Sequence, residues 1–300
     1  MLQKVEIHCA KMHYAIIANP TSGTTSIDQK RLALSKPAEI LNARIYGLES
    51  MTPDEFVDRA REVATCCEVL VVAGGDGTLS DIINSVDISQ TKIAYLPMGT
   101  GNSMRYALKY EGALTDIAAT IKNGRIRRYD LINCDEKRRA ITVSIGIEAA
   151  AIRLRDEYLA RGNSYGFKTY LKAVLNAYFG EYRRVGATIT IDDATFQVKD
   201  LLTLMIVKQP YYGFGMKVVP DARLDDRQLH ILTINSGILK CALGAATAFT
   251  IGNRIGSYRS GRRVTVQLEK PLAMQMDGNL GWVSDTFTFS VLPDALRIKH

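Results

Sequence analysis

The chain has no apolar run long enough to cross a membrane. The longest candidate, residues 241–251, is well short of the roughly 18–20 residues that a bilayer-spanning helix needs, and it follows Lys240 directly. Residues 1–11 include Lys4 and Glu6, so they lack the apolar core of a signal peptide. We expect residues 1–11 to be a leader or a disordered segment, and any membrane contact to be peripheral.

The chain also lacks the cysteine spacing of a metal site and the long charge runs of a nucleic-acid-binding tail. Its five cysteines include the neighbours Cys66 and Cys67, which have poor geometry for a mutual disulfide bond. Reduced thiols in a cytoplasmic protein are therefore expected. The net charge of +7 favours an anionic partner such as a phosphate or a lipid headgroup. Because no block of like charges is present, no nucleic acid is expected as a partner.

What the chain does have is a glycine-rich turn, Gly74-Gly75-Asp76-Gly77-Thr78, directly after the apolar run of residues 69–73. Apolar residues at helical spacing follow, which predicts a strand, a turn and a helix in succession. Glycine lets the backbone approach a ligand closely, and the free N–H groups at a helix start favour an anion. The turn therefore predicts a phosphate site and suggests a nucleotide.

Similar loops follow two other predicted strands in the first part of the chain. Strands and helices alternate there, which is typical of a parallel sheet covered by helices. Ligands of such sheets bind at the carboxyl ends of the strands, where all three loops lie. The strands are predicted at 13–18, 69–73 and 92–96, and the loops at 19–25, 74–78 and 97–102.

The pattern changes after about residue 126. Short alternating runs predict a mostly antiparallel sheet, interrupted by a helix at about 166–179 and a helical stretch at 239–251. A length of 300 residues also favours two domains. The predicted fold is α/β, with a Rossmann-like parallel-sheet domain at 12–130 and a mostly antiparallel, β-sandwich-like domain at 131–300. The last strand is a candidate to return to the first domain.

Six segments, taken in order, carry a resemblance to a known family. They are 19–23, 74–78, 97–102, 144–149, 212–215 with 220–226, and 275–278. Together they resemble the diacylglycerol kinase catalytic-domain family. That family includes bacterial soluble lipid kinases, sphingosine kinases and ceramide kinases, and it is distantly related to NAD kinases.

The resemblance implies an ATP-dependent lipid kinase that transfers γ-phosphate to the hydroxyl of a diacylglycerol or a sphingoid-like lipid. It implies ATP on the first domain, with Mg²⁺ bridging the phosphates, and the lipid in an apolar pocket of the second, lipid-binding domain. An anionic membrane surface is a further expected partner, with a cytoplasmic, peripheral location, and a homodimer is left open. The helix at 166–179 either lines or gates the pocket, or only packs against the sheet.

The resemblance also assigns residues to the nucleotide. Backbone N–H groups around Gly75 and Gly77, with the Thr78 hydroxyl, are expected to meet phosphate oxygens. Phosphoryl transfer depends mainly on such positioning and on charge neutralisation. The residues expected to bind ATP are Asn19, Pro20, Ser22, Gly23, Gly74, Gly75, Gly77, Thr78, Gly99, Thr100 and Asn102.

Two aspartates are candidates for the chemistry. By resemblance to sphingosine kinases, Asp76 is the base that accepts the lipid hydroxyl proton, whereas in bacterial relatives it belongs to an aspartate–water–magnesium network. Asp226 matches the aspartate of a family metal site. Backbone carbonyls of Arg223 and Gln228 would complete that site, because magnesium prefers oxygen ligands.

The sequence departs from the family at several catalytic positions. The last family motif usually ends in a glutamate that accepts the proton, and here the position is Asn279, whose amide takes no proton at neutral pH. The base is then either Asp277 or Asp76. Ser103 stands where relatives carry an aspartate. Arg227 stands where they carry a glycine, so its cation is expected to replace part of the metal's charge.

Two other functions stay open. The departures favour a nucleotide- or lipid-binding protein of the same fold that has lost most catalysis, which would bind nucleotide without transferring phosphate. An NAD-kinase-like enzyme with a soluble acceptor is the third interpretation, and the segments shared with lipid kinases argue against it.

Overall fold

The computed structural model describes residues 12–49, 52–163 and 166–300 of the chain. The expected leader at 1–11 lies outside the described residues. The chain divides into two compact units. The first contains the described residues up to Gly99, together with Leu108–Arg128 and Ala295–His300, and the second contains Thr100–Ala107 and Tyr129–Asp294.

The first unit is built on a parallel sheet. The elements up to residue 123 are β1 (Met12–Ala18), α1 (Ile27–Leu41), β2 (Arg44–Tyr46), α2 (Pro53–Thr65), β3 (Cys67–Gly74), α3 (Asp76–Ser85), β4 (Lys92–Pro97), α4 (Ser103–Ala107) and α5 (Leu114–Asn123). All but α4 belong to this unit. The strand order is β4-β3-β1-β2 with parallel neighbours, and Ile298 near the end of the chain pairs in parallel with Ile93.

The middle of this sheet is buried, as its sequence indicated. Residues 69–73 lie within β3, between β1 and β4, and each is at most 1% exposed. A continuous apolar run is what a parallel strand covered by helices on both faces requires. The predicted parallel α/β sheet is therefore confirmed.

The second unit is mostly antiparallel. Its elements after α4 are β5 (Ile126–Cys134), β6 (Arg138–Ala140), β7 (Thr142–Gly146), α6 (Ile147–Ala160), α7 (Phe167–Asn176), a π-helical turn (Ala177–Glu181), β8 (Val185–Ile191), β9 (Ala194–Leu201), β10 (Thr203–Val207), β11 (Tyr211–Tyr212), β12 (Met216–Lys217), β13 (Leu229–Ile234), α8 (Ile238–Ala248), β14 (Ser257–Gly261), β15 (Arg263–Met276) and β16 (Asn279–Lys299). Antiparallel pairs give the order β14-β13-β10-β7-β15. The first residues of β5 and the last of β16 belong to the first unit.

One long strand, β15, connects two sets of antiparallel strands. Its first half pairs with β8 through Val264–Leu268, and its second half pairs with β7 through Met274–Met276. Its register with β16 is interrupted between Gln267 and Leu272, around Pro271, which has no N–H to donate to a ladder. The bend lets both halves cover one apolar core, and the predicted β-sandwich-like character is confirmed.

The cysteines differ in part from expectation. Cys67, Cys134 and Cys241 are free thiols, and burial raises the pKa of the Cys67 thiol to about 12. Cys66 is disulfide-bonded, so the expectation of reduced thiols fails there. Cys9 lies outside the described residues.

The apolar stretch predicted as a helix forms α8, which is 11 residues long. No helix in the described part of the chain is both long and apolar enough to span a membrane.

Candidate functional site

The three predicted loops meet at the carboxyl edge of the parallel sheet in the first unit. They follow β1, β3 and β4, which are neighbours in the sheet. The Asn19 N–H donates to the Ala73 carbonyl over 3.0 Å, and the Met98 N–H donates to the Gly74 carbonyl over 2.8 Å. We call this region, residues 19–25, 74–78 and 97–99, the loop edge.

One position of the loop edge requires glycine, and a second leaves little room for a side chain. Gly23 has a φ of +69°, and a Cβ at this position would lie 2.7 Å from the Met98 carbonyl oxygen. A Cβ on Gly75 would lie 3.2 Å from the Gly99 Cα and 3.7 Å from the Ser22 Oγ. The loops therefore approach one another more closely than side chains at these positions would permit.

Asn19 joins two of these loops through its side chain. Its Nδ2 donates to the Thr78 Oγ1 over 2.9 Å, and its Oδ1 accepts from the N–H and the hydroxyl of Thr21, each over 2.9 Å. The hydroxyl predicted to meet a phosphate is thus held by the first loop. The assignment of Asn19 and Pro20 to ATP itself stays a prediction.

Lys30 supports the first loop from behind, and sequence reasoning missed it. Its side chain comes from the first turn of α1 and is 1% exposed. The Nζ donates to the Asn19 carbonyl over 3.2 Å and to the Pro20 carbonyl over 2.6 Å. Burial lowers the pKa of Lys30. A lysine in a first helical turn ordinarily indicates a solvated side chain, so the sequence carried no signal of this role.

The loop edge also contains a helix start. Asp76, Gly77 and Thr78 form the first turn of α3, and Gly75 caps it without a side-chain hydrogen bond. The N–H groups of such a turn favour anions, both an acidic side chain and a phosphate. Asp76 is half-buried. The pKa of Tyr95 is raised first by burial of its hydroxyl and second by the negative charge of Asp76.

Thr100 and Asn102 belong to the second unit, although they follow the third loop directly. Asn102 precedes α4 with a left-handed φ of 45°. Ser103 begins α4, and its buried hydroxyl accepts from the Gln209 Nε2 over 2.7 Å. The position where relatives carry an aspartate thus makes a neutral hydrogen bond, and the contacts of Thr100 and Asn102 with ATP stay predictions.

Asp277, a candidate base, serves as a buried acceptor in the second unit. It is 6% exposed. Its Oδ1 accepts from the Ile141 N–H, the Thr142 N–H and the Thr142 hydroxyl at 3.1, 2.8 and 3.1 Å, and its Oδ2 lies 3.2 Å from the Ile141 N. A carboxylate in these contacts fixes the start of β7. This geometry favours a positioning role for Asp277.

Asn279 follows the tight turn that Asp277 forms with Gly278. Both turn residues have positive φ, 49° and 87°, and Met276 pairs with Asn279 across the turn. Asp-Gly is a preferred sequence for such a two-residue hairpin. The Gly278 carbonyl accepts from the Arg155 Nη2 over 3.2 Å.

The turn also brings two of the family-like segments together. The Gln275 Oε1 accepts from the Gly278 N–H over 3.0 Å, and the Gln275 Nε2 donates to the Ser144 Oγ over 2.8 Å. Segments 144–149 and 275–278 are therefore neighbours within the second unit, and Asn279 lies beside them.

Asp226, the candidate metal ligand, lies beside a buried lysine. The Lys208 Nζ is 2.7 Å from the Asp226 Oδ1, 2.9 Å from the Asp130 Oδ2 and 2.5 Å from the Gln228 carbonyl oxygen. The other Asp226 oxygen is 2.7 Å from the His230 Nε2. Burial acts to raise the pKa of Asp226, but the hydrogen bond and charge of Lys208 lower it on balance. We call Asp130, Lys208, Asp226 and the Gln228 carbonyl the lysine cluster.

These residues do not fit a divalent cation at Asp226. Mg²⁺ demands near-ideal octahedral oxygen coordination, whereas the Gln228 carbonyl predicted as a ligand already accepts from Lys208. Among the described residues, no group of three or more His, Cys, Asp or Glu is arranged to hold a metal ion. Arg227, expected to supply a replacing charge, is exposed and pairs with Asp294 over 2.8 Å. In this structure Asp226 forms a lysine ion pair, and its assignment as a metal ligand stays a prediction.

An apolar cavity of about 290 Å³ lies within the second unit. Helices α6, α7 and α8 line it together with residues of β10 and β13. The helix predicted at 166–179 contributes Phe167, Tyr170, Leu171 and further residues, so the interpretation that it lines a pocket is confirmed. The volume is at the lower end of the roughly 300–1,000 Å³ of ligand pockets.

One carboxyl group faces this cavity. Glu148 lies in the first turn of α6, and its Oε2 accepts from the Thr203 hydroxyl over 2.6 Å. Burial raises the pKa of Glu148 to about 7, against the opposing effect of that hydrogen bond. Tyr170 and Tyr212 also line the cavity, and burial raises the pKa of both hydroxyls. Segment 144–149 was the one sequence signal that pointed toward Glu148.

Comparison with known families agrees with this arrangement. A family model described as "Diacylglycerol kinase catalytic domain" matches residues 13–134. Another, described as "YegS C-terminal NAD kinase beta sandwich-like domain", matches residues 141–300, more than half of the chain. A diacylglycerol kinase of Staphylococcus saprophyticus is 25% identical over 276 residues, which are 89% of this chain and 88% of that protein.

Solved structures share the fold. A diacylglycerol kinase from Bacillus anthracis has a TM-score of 0.70 at 15% identity, and the match covers 96% of each chain. An NAD kinase from Archaeoglobus fulgidus, solved in complex with ATP, has a TM-score of 0.51 at 10% identity, covering 96% of this chain and 94% of that one. At these identities the structural matches concern the fold alone.

Proposed function

The chain belongs to the diacylglycerol kinase catalytic-domain family, with a C-terminal domain of the YegS type, and is a kinase; we propose that it transfers the γ-phosphate of ATP to the hydroxyl of a diacylglycerol or a sphingoid-like lipid. The observation that supports a lipid acceptor is the apolar cavity of the second unit. Its walls are hydrophobic and aromatic, with Glu148 as its carboxyl group. A dinucleotide acceptor would instead need several groups that pair with phosphates and ribose.

The loop edge is the proposed ATP site. Support comes from the convergence of three loops at one sheet edge and from the first turn of α3, whose N–H groups suit phosphate oxygens. The residues assigned to ATP are those predicted from the sequence. Magnesium would enter with ATP and neutralise phosphate charge, so this proposal needs no separate metal site in the protein.

Asp76 is the proposed base. Asp277 is buried and accepts hydrogen bonds from Ile141 and Thr142, which suits a positioning residue better than a proton acceptor. Asp76 is half-buried on the first turn of α3, within the proposed nucleotide site. General base catalysis typically contributes about 10²–10⁴-fold, so a chain with Asn279 in place of a glutamate retains a route to measurable transfer.

Transfer of labelled γ-phosphate from Mg²⁺–ATP into lipids in mixed micelles tests the proposal. The acceptors are diacylglycerol, monoacylglycerol, sphingosine, ceramide and NAD. Asp76→Asn should reduce lipid labelling at least 100-fold, whereas Asp277→Asn should retain most of it and Asn279→Glu should raise it. Asp193→Asn, an exposed carboxylate in the second unit, is the matched control.

A binding protein with little catalysis is the second candidate, because Asn279 replaces a carboxylate and Asp277 is committed to backbone donors. It predicts ATP binding by calorimetry with no labelled lipid from the wild type. Label in Asn279→Glu alone would then identify a kinase fold with disabled chemistry. Label in NAD but not in lipid would support the NAD-kinase-like alternative and contradict the lipid proposal.

Membrane contact is proposed for the helices that line the cavity. Exposed apolar side chains project from them, including Phe179 at 69%, Leu239 at 84% and Leu243 at 57% exposure. Exposed lysines 168 and 240 accompany them, and each basic residue contributes about 1 kcal/mol at an anionic surface. A peripheral, cytoplasmic location and a homodimer stay predictions of the same proposal.

Sedimentation with vesicles of phosphatidylcholine and phosphatidylglycerol measures that contact. The double change Leu239→Asp and Leu243→Asp should release most of the bound protein. Leu32→Asp, at a 77% exposed leucine of the first unit, should not. Equal binding of all three proteins would contradict the assignment of this surface.

A further inference from the structure

The lysine cluster places an amine where the family resemblance leads one to expect a metal. An ammonium group has three hydrogens, and three oxygens lie within hydrogen-bond distance of the Lys208 Nζ. They come from two segments of the second unit: Asp130 on β5, and Asp226 and the Gln228 carbonyl in the loop before β13. We propose that the Lys208 ammonium is the resident cation of this site and that it holds these segments together without a divalent ion.

Burial makes a cation necessary at this position. Lys208 is fully buried and Asp130 is 1% exposed, and a second carboxylate, Asp226, lies on the same amine. Asp130 is buried and Asp226 is 26% exposed, and two carboxylates this close repel one another unless a positive group lies between them. Asp130 accepts from the N–H groups of Arg227 at 2.6 Å and Asp294 at 3.0 Å, so its carboxylate cannot move away from Asp226 without breaking these backbone contacts.

The same contacts leave no room for a divalent ion. An ion bound by the Asp226 Oδ1 and the Gln228 carbonyl would share both oxygens with the Lys208 ammonium, and like charges that close together repel strongly. Lys208 therefore excludes a divalent ion from this site and supplies the positive charge in its place.

The positive charge at this site comes from Lys208, whereas the sequence led us to expect it from Arg227. Arg227 follows Asp226 directly, but its side chain extends to Asp294 and is 63% exposed. Lys208 follows β10, which comes earlier in the chain, and reaches the cluster through the fold. The inference concerns the stability of the second unit and does not rest on the proposed function.

The wild-type protein, free of nucleotide and lipid, provides the first test. Its metal content is measured by mass spectrometry, and its thermal unfolding is followed in EDTA, MgCl₂ and CaCl₂. We expect no stoichiometric metal and the same Tm in all three solutions. A tightly bound ion together with a Tm that falls in EDTA would overturn the proposal. Failure of the kinase assay would leave this result unchanged.

Lys208→Ala provides the second test, with Lys199→Ala, an exposed lysine of the same unit, as the matched control. The first change should lower the Tm strongly, and Mg²⁺, Ca²⁺ or methylammonium should restore part of the loss, because the vacated oxygens would then accept a free cation. The control should unfold like the wild type in every solution. Equal Tm values for the two variants would overturn the proposal. If Lys208→Ala yields no folded protein in any solution, the wild-type measurement decides alone.

Discussion

The loop edge of the first unit and the polar centres of the second unit are built from different chemical groups. In the loop edge, backbone approaches backbone: a Cβ on Gly23 would clash with the Met98 carbonyl oxygen, and a Cβ on Gly75 would be in tight contact with the Gly99 Cα. In the second unit, buried side chains do the positioning, as Asp277 does for the start of β7 and Lys208 does for two aspartates.

The difference determines where each region is vulnerable. A site made of backbone depends on conformations that only some residues adopt, so it should fail at its glycines and tolerate the loss of a side chain. A site made of buried polar side chains should fail when one partner is removed, since the groups left behind lose their hydrogen bonds in a dry environment.

The largest effect is expected for Asp277→Ala. The change leaves the N–H groups of Ile141 and Thr142 without their buried acceptor, which should cost about 3–5 kcal/mol of the free energy of unfolding. Urea denaturation measures this loss. Asp277→Asn keeps one acceptor oxygen and should recover most of it. A loss below about 1 kcal/mol for the alanine variant would contradict the positioning role.

The next effect concerns Glu148, whose pKa is about 7 in the folded chain against an ordinary value of 4.5. The folded state therefore binds more protons than the unfolded state between these values, and its stability falls as the pH rises through that range. A pKa shift of this size corresponds to a change of roughly 3 kcal/mol in the free energy of unfolding across that pH range.

Glu148→Gln should remove this pH dependence. Urea unfolding of both proteins should show the wild type losing stability relative to the variant between pH 4.5 and 7, with a constant difference above that range. Thr203→Val, which removes the hydroxyl that donates to Glu148, should move the wild-type transition to higher pH. Parallel stability curves for the wild type and Glu148→Gln would show that the cavity does not bury the carboxyl group.

The same distinction explains what could be predicted from the sequence. The strand, turn and helix around residues 69–86 are local, and the parallel order of the strands brings the loops together, so motifs close in sequence sufficed for the loop edge. The local sequence does not indicate the contact of Lys30 with the first loop or that of Lys208 with Asp130, because each contact joins residues that only folding brings together.

Some elements were missed for equally physical reasons. Helix α6 follows β7 without a break in apolar sequence, and its N-cap, Gly146, has no side chain to mark the boundary. Strand β14 is largely exposed and polar, so it shows little of the alternation that indicates a half-buried strand. The lysine amine beside Asp226 was not predicted, because its position depends on tertiary packing.

Gly23→Ala tests the vulnerability of the loop edge. The new Cβ would need a left-handed φ and would meet the Met98 carbonyl oxygen at 2.7 Å, so the first loop must move. We expect ATP affinity to fall about 10–100-fold, or roughly 1.4–2.8 kcal/mol, in calorimetric titration. Gly162→Ala is the matched control, because Gly162 has a φ of +87° with nothing within 4 Å. If both variants bind ATP equally well, close approach of the loops is not what the site requires.

The smallest effect is expected for Lys30→Met, which removes a buried amine from the loop edge at nearly constant volume. The Asn19 and Pro20 carbonyls lose a donor, but the cost of burying the charge, visible in the lowered pKa of Lys30, disappears with it. ATP affinity should therefore fall only a few-fold, about 1 kcal/mol, because backbone bonds from Asn19 to Ala73 and from Met98 to Gly74 keep the loops in place.

Lys36→Met, at an exposed lysine of the same helix, should leave ATP affinity unchanged, and calorimetric titration of the two variants isolates the contribution of the buried amine. A loss for Lys30→Met as large as that for Gly23→Ala would mean that a single side chain holds the first loop. The loop edge would then obey the same rule as the polar centres of the second unit, and glycine content alone would no longer identify its weak points.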